Sequence, residues 1–152
     1  MKNILILGIG NILQSDDGLG VYIVNHLMES DIQLPEGIEI IDGGTAGFDL
    51  LDVMAGRDKI IIIDALETDD TPGSVYRFTP NNLIDSRSMI SLHEVGIMEV
   101  AKLLNLMGSE PEIEFIGIVP EDISTTDICI SKSVKESIPV AIEQILDAAI
   151  NI

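Results

Sequence analysis

Short runs of consecutive apolar residues recur along this chain, and segments with a helical spacing of apolar residues separate them. The four isoleucines at 60–63 form the strongest run, and an unbroken run of this kind indicates a strand covered on both faces. Residues 73–78 follow Pro72 and predict an edge strand. The strands predicted from this pattern cover residues 4–7, 38–41, 59–63, 73–78 and 113–119.

Between the strands, apolar residues recur on one side of each predicted helix. Ser91 and Glu94 have the spacing of a capping box, which places a helix start at Ser91. Pro139 predicts either a kink or a later true start in the last helix. The predicted helices run from residue 16 or 17 to about 28, over 46–54, from 91 to about 107, and over 131–149.

Strands that alternate with helices predict a parallel sheet, because each crossover places its helix on a face of the sheet. We therefore expect an α/β fold with a mostly parallel, twisted sheet of about five strands and helices on both faces. The length of 152 residues fits one domain, which would span residues 1–152.

Acidic residues outnumber basic ones, with 26 Asp and Glu against 8 Lys and Arg, and the formal net charge is −18. Such a chain has no basic stripe to displace the counterions of nucleic acid, so we expect neither nucleic acid nor an anionic membrane as a partner. A cation or a basic polypeptide fits the charge better, although an acidic protein requires neither.

The N-terminus and the cysteine count bear on the compartment. The first apolar stretch is short, is broken by Gly and Asn, and lacks a small-residue cleavage site, which argues against a signal peptide. No apolar run approaches the roughly 18 residues of a membrane span. Cys129 is the single cysteine, so no internal disulfide forms, and the chain is compatible with a reducing cytoplasm. We expect a cytoplasmic protein.

The sequence GIGNILQSDDGLG at residues 8–20 follows the first predicted strand and opens the first predicted helix. Glycine turns in this position often hold a dinucleotide, but the third glycine of that fingerprint is replaced here by Leu13. Asp42 lies too far along the chain for the usual ribose contact, and the carboxylates of Asp16 and Asp17 would repel phosphate. Nucleotide binding is therefore the less favoured alternative.

Aspartates follow three of the predicted strands at the edge where open α/β sheets bind ligands. Asp17 lies at the first helix start, Asp42 ends the second predicted strand, and Asp64 follows the four isoleucines. Asp16 fits a helix N-cap, and Asp64 alone would be an ordinary loop acid capping nearby amides. Three converging carboxylates repel one another unless a positive charge lies among them, which favours a cation site.

His93 lies near the predicted start of a crossover helix, which faces the same edge. A single histidine is more often packed or solvated than catalytic. Together, however, Asp17, Asp64 and His93 form an oxygen, oxygen and nitrogen set that suits a divalent transition metal such as nickel or zinc. We expect Asp42 and the two glycines after it to shape the edge of this site without binding the metal.

Nucleophilic catalysis is a weaker alternative. Cys129 lies in the apolar sequence ICI and is expected to be a small core residue. Ser91 is explained by its expected role as an N-cap.

Four blocks in this order resemble the hydrogenase maturation endopeptidases. GIGNILQSDDGLG is similar to the opening block GxGNxLxxDDGxG of that family, and DGGTAG at 42–47 is similar to its second block. IIIIDA at 60–65 and SLHEVGI at 91–97 resemble the third and fourth blocks, and GIVPE at 117–121 is a less specific further match. The resemblance covers nearly the whole chain.

The resemblance implies an activity and a site. Members of the family remove the C-terminal extension from the large-subunit precursor of nickel–iron hydrogenases, and their fold is a phosphorylase/hydrolase-like α/β sheet. The metal-contacting positions carry over to Asp17, Asp64 and His93, which would be both the catalytic and the metal residues. The nickel would be supplied by the substrate and not held permanently.

Two questions stay open at the level of the sequence. A non-catalytic nickel-binding or metal-delivery accessory protein could use the same three residues. In a peptidase, either the metal or a carboxylate could polarise the scissile carbonyl or activate water.

Overall fold

The computed structural model describes residues 2–45, 48–80, 90–91 and 94–151. None of the helices in these residues combines the length and the apolar composition of a membrane span. The elements in chain order are β1 (Ile4–Gly8), a 3-10 turn (Ser15–Gly18), α1 (Leu19–Glu29), β2 (Ile38–Asp42), a second 3-10 turn (Phe48–Leu50), α2 (Leu51–Met54), β3 (Lys59–Glu67), β4 (Val75–Phe78), β5 (Ile90–Ser91), α3 (Glu94–Leu106), β6 (Glu112–Ile118) and α4 (Lys132–Ile150).

The described strands form one sheet with the order β2-β1-β3-β6-β4. β1, β2, β3 and β6 pair in parallel, while β4 pairs antiparallel with β6 at one edge of the sheet. The short β5 pairs antiparallel with the end of β3. The predicted mostly parallel sheet and its edge strand at residues 73–78 are thereby confirmed.

Helices cover both faces of the sheet, as the runs of isoleucine predicted. Ile61 and Ile63 of β3 pack in the core cluster that includes residues of α1 and α4. Ile60 and Ile62 pack on the opposite face, in the cluster that includes residues of α2 and α3. All four isoleucines are fully buried, because successive side chains of a strand point to opposite faces.

The third strand is longer than predicted. We expected it to end at residue 63, but β3 continues to Glu67 because β6 pairs with it as far as Ala65 and β5 pairs with Leu66 and Glu67. Asp64 therefore lies within a strand, opposite Gly117 of β6, and not in a loop after it.

One predicted helix start is wrong, and the start predicted for the last helix at residue 131 is confirmed. Ser91 is not an N-cap, because it pairs with Leu66 in the sheet and α3 begins only at Glu94. The last helix does not start late at Pro139. It begins at Lys132 with Ser131 as its N-cap and continues past the proline to Ile150.

A buried ionic cluster joins the sheet to the last turn of α4. Lys59 and Glu114 are almost completely buried, and the ammonium Nζ of Lys59 lies 3.0 Å from Glu114 Oε2. The same ammonium donates a 3.0 Å hydrogen bond to the carbonyl of Ala148, at the helix end where a cation is favoured. Arg77 of β4 pairs with Glu114 and also with Asp147, 2.6 Å away.

Burial of the Glu114 carboxyl acts to raise its pKa, but the hydrogen bonds from Arg77 and Lys59 outweigh burial and lower the pKa below its usual value of 4.5. A carboxyl with a lowered pKa in the folded protein stabilises the fold above its unfolded pKa. That contribution is lost as the pH falls through the lower folded value.

We expect Glu114→Gln to lower the free energy of unfolding at pH 7 by about 3 kcal/mol, because Lys59 would stay buried without its counter-charge. The variant should also lose less stability than the wild type between pH 7 and pH 3. Urea unfolding at several pH values measures both effects. Equal acid dependence in the two proteins would contradict this role of Glu114.

Candidate functional site

The chain between β1 and α1 crosses closely over the backbone of β3. The amide of Ile9 donates a 3.1 Å hydrogen bond to the carbonyl of Ile63. A Cβ added at Gly20 would lie 2.1 Å from that same carbonyl oxygen and 2.5 Å from the carbonyl oxygen of Ile9. Only glycine allows this approach, so the first turn of α1 is fixed against the backbone that leads into Asp64.

Asp17 and Asp64 are both buried carboxylates at this junction. Asp17 lies in the 3-10 turn before α1, is 8% exposed, and accepts a 3.1 Å hydrogen bond from the amide of Asn11. Asp64 is 1% exposed, and its Oδ1 accepts a 2.8 Å hydrogen bond from the amide of Ala65. Since the 3-10 turn contacts β3, the two carboxylates lie on elements in direct contact at the carboxyl end of the parallel strands.

The third predicted residue, His93, lies outside the described residues. Its described neighbours on the two sides are Ser91, paired with Leu66 two residues beyond Asp64, and Glu94 at the start of α3. The described ranges, which leave out position 93, hold no group of three or more His, Cys, Asp or Glu residues able to bind a metal. The shared site of Asp17, Asp64 and His93 thus stays a prediction.

Asp16, expected to be a helix N-cap, has a different role. Its fully buried side chain accepts hydrogen bonds from the amides of Glu121 and Asp122, at 2.8 and 3.1 Å. It also accepts from the amide and the hydroxyl of Ser131, at 2.8 and 2.7 Å. The carboxylate therefore fastens both ends of the segment 121–131 to the turn that carries Asp17.

Further hydrogen bonds hold this segment, which we call the 121–131 loop. The amide of Ser15 donates a 2.7 Å hydrogen bond to the carbonyl of Asp127, and its hydroxyl donates a 2.9 Å hydrogen bond to the carbonyl of Cys129. Within the loop, the side-chain hydrogen bond from Thr125, together with amides of Thr125 and Ser124, lowers the pKa of Asp122 to about 2. The loop is thus braced at its centre and at both ends.

Cys129 is exposed, which corrects its predicted place in the core. The sequence ICI resembles a buried strand, but residues 128–130 form part of the 121–131 loop, where the hydroxyl of Ser15 donates a hydrogen bond to the carbonyl of Cys129.

Asp42 lies at the end of β2, at the predicted edge of the site. Its Oδ1 accepts from the amide of Gly44 at 3.0 Å and its Oδ2 from the side chain of Asn25 at 3.1 Å. The carbonyl of Gly44 in turn accepts a 2.7 Å hydrogen bond from the amide of Gly10, so the edge is tied to the opening turn. Gly44 has a φ of +56°, which favours glycine.

We expect Asp16→Ala to lower the free energy of unfolding by about 3 kcal/mol or more, because it leaves several partly buried donors without their acceptor. The 121–131 loop should also become sensitive to limited proteolysis. Asp122→Ala is the control, since that carboxylate accepts hydrogen bonds from Ser124 and Thr125 within the loop. A thermal unfolding midpoint for Asp16→Ala equal to that of the control would contradict the role assigned to Asp16.

Comparison with known proteins agrees with this architecture. Residues 21–148 match the model of the family described as hydrogenase maturation protease. The hydrogenase 2 maturation protease of Escherichia coli strain K12 is 38% identical over 148 residues, which cover 95% of this chain and 89% of that protein. Some other curated relatives are longer, and the chain covers 66% of one and 70% of another.

Solved structures show the same fold. The maturating endopeptidase HybD from E. coli superposes with a TM-score of 0.84, covering 97% of this chain and 91% of that one at 38% identity. The nickel–iron hydrogenase maturation protease HybD from Thermococcus kodakarensis superposes with a TM-score of 0.82 at 32% identity, covering 98% and 99%. The match extends over nearly the whole chain, so this protein belongs to the hydrogenase maturation protease family and is a peptidase.

Proposed function

We propose that this protein is an endopeptidase that removes the C-terminal extension of a nickel–iron hydrogenase large-subunit precursor once nickel has been inserted. In this proposal Asp17, Asp64 and His93 contact the nickel carried by the substrate. The reaction takes place in the cytoplasm, consistent with a chain whose single cysteine cannot form an internal disulfide.

The observation that carries the proposal is the pair of buried carboxylates, Asp17 and Asp64, on two elements that the glycine at position 20 holds together. Burial of an ionised carboxylate is costly unless hydrogen bonds or a positive charge compensate it. Amides of Asn11 and Ala65 supply part of that compensation. A divalent cation brought by the substrate would further favour the ionised form of both carboxylates.

The chemistry of the predicted donors fits this cation. Two carboxylate oxygens and an imidazole nitrogen suit first-row divalent metals. Three protein ligands leave coordination positions open, whereas a structural metal site is closed by four. A nickel ion already bound to the precursor could then be shared with the enzyme, so that docking reports whether nickel insertion is complete.

The proposal is tested by incubating the nickel-loaded precursor with the enzyme and measuring the mass of the product. The wild type should shorten the precursor, and His93→Ala should leave it intact with an unchanged thermal midpoint. Glu99→Ala, an exposed change on α3, is the control and should cleave at the wild-type rate. Bound nickel with a precursor of unchanged mass would support the metal-delivery alternative instead.

A further inference from the structure

A pocket of about 390 Å³ opens beside the candidate site, between α1 and the 121–131 loop. Its wall includes Gly18, which follows Asp17 in the 3-10 turn, and Asp42 at the edge of the site. This volume falls within the range of roughly 300–1,000 Å³ that is usual for ligand pockets. The pocket is thus continuous with the turn that carries Asp17.

Three segments each contribute an exposed apolar side chain to this pocket. Ile12 from the opening turn is 49% exposed, Tyr22 from α1 is 37% exposed, and Ile128 from the 121–131 loop is 69% exposed. Buried Val21 and Ile130 form part of its lining. Single exposed apolar residues are ordinary, but three that converge on one concave surface favour a binding site.

The charges around the pocket are negative. Glu29 and Asp42 line it together with His26, and none of its described lining residues is Lys or Arg. Glu29 is the last residue of α1, where the partial negative charge of the helix end adds to that of the carboxylate. A ligand of this pocket should therefore combine an apolar group with a positive charge.

We propose that this pocket docks the polypeptide substrate, by taking a large apolar side chain of the precursor that lies within a few residues of a Lys or Arg. The inference rests on the proposed function, since it assumes that the substrate is a protein docked at the neighbouring metal site. The pocket holds the precursor in place, and this contact is separate from any contact with nickel. The Asp16 hydrogen bonds keep the Ile128 wall in position.

Two variants test the pocket, and each has a matched control elsewhere on the chain. Ile128→Ser removes an apolar wall residue, and Leu106→Ser makes the same kind of change at the exposed end of α3. Glu29→Lys reverses a pocket charge, and Glu143→Lys reverses an exposed charge on α4. Glu29→Lys should not unfold the protein, because a cation is favoured at the end of a helix.

The measurements are the Kd for the nickel-loaded precursor, its processing kinetics, and self-association by size exclusion. We expect Kd and KM to rise about tenfold in each pocket variant, which corresponds to about 1.4 kcal/mol. The kcat should stay within about twofold of the wild type, since substrate docking contributes uniform binding. Both controls should match the wild type.

The outcomes separate this inference from the proposed function. If the wild type binds and cleaves the precursor and the pocket variants match their controls, the pocket is not the docking site and the proposed function stands. If the wild type neither binds nor cleaves the precursor, both fail. If the pocket variants lose only self-association, the occupant is a second copy of this chain and the inference is wrong.

Discussion

Asp64→Asn should reduce processing of the nickel-loaded precursor by more than about 100-fold, since changing even the partners of metal ligands typically costs 10–100-fold. The substitution keeps the size of the side chain and removes its negative charge. An amide is a poorer ligand for a divalent transition metal than a carboxylate. Asp17→Asn should have an effect of the same order, because the two residues act on one metal ion in this account.

The fold should survive this change. Asp64 lies within β3, pairs with Gly117 of β6 and is 1% exposed, so an isosteric replacement keeps the packing. Thermal unfolding checks that both variants fold, and mass spectrometry of the precursor measures processing. Asp16→Asn is the matched comparison. The carboxylate of Asp16 holds the 121–131 loop, so this variant should have a lower thermal midpoint than the wild type. Full processing by Asp64→Asn would remove this residue from the site.

Gly20→Ala should destabilise the protein by more than about 3 kcal/mol and abolish processing. Its new Cβ would lie 2.1 Å from the carbonyl oxygen of Ile63, which is backbone and cannot move aside as a side chain would. The first turn of α1 would be pushed away from β3, and Asp17 would move with it. Helix propensity alone predicts the opposite sign, since alanine in a helix is favoured over glycine by about 1 kcal/mol.

A second glycine provides the control for this prediction. Gly108 has a φ of +89° and no atom within 4 Å of an added Cβ. Gly108→Ala should therefore cost only the roughly 1–2 kcal/mol of a left-handed residue, and processing should continue. Urea unfolding of both variants measures the difference. A Gly20→Ala protein as stable as the wild type would show that the contact between α1 and β3 is not fixed by this glycine.

The pattern of apolar residues was sufficient to predict the sheet, its edge strand and the helices on both faces. Such patterns depend on neighbours a few residues apart, which a sequence shows directly. The length of β3 could not be predicted in this way. Its last residues are in strand conformation because they pair with β5 and β6. The residues of those two strands lie more than twenty positions away in the sequence.

Contacts between residues far apart in the sequence also explain why the role of Asp16 could not be predicted. Asp16 was expected to be a cap because the residue type suits the start of a helix. Its actual partners, Glu121, Asp122 and Ser131, lie more than 100 residues further along the chain. The close contact at Gly20 could be inferred from the sequence, since a glycine inside a predicted helix indicates close packing. Asp17 and Asp64 lie on elements in contact at one end of the sheet, as predicted by the rule that parallel strands end at the same edge, while their shared metal site stays a prediction.

The most direct test of the account compares nickel-loaded and nickel-free precursor with the wild-type enzyme, the nickel-free reaction being run in the presence of a chelator. The product mass and the rate of its appearance are measured for both. We predict that only the nickel-loaded precursor is shortened. Processing of the nickel-free precursor at the same rate would contradict the central claim that substrate nickel is recognised before cleavage.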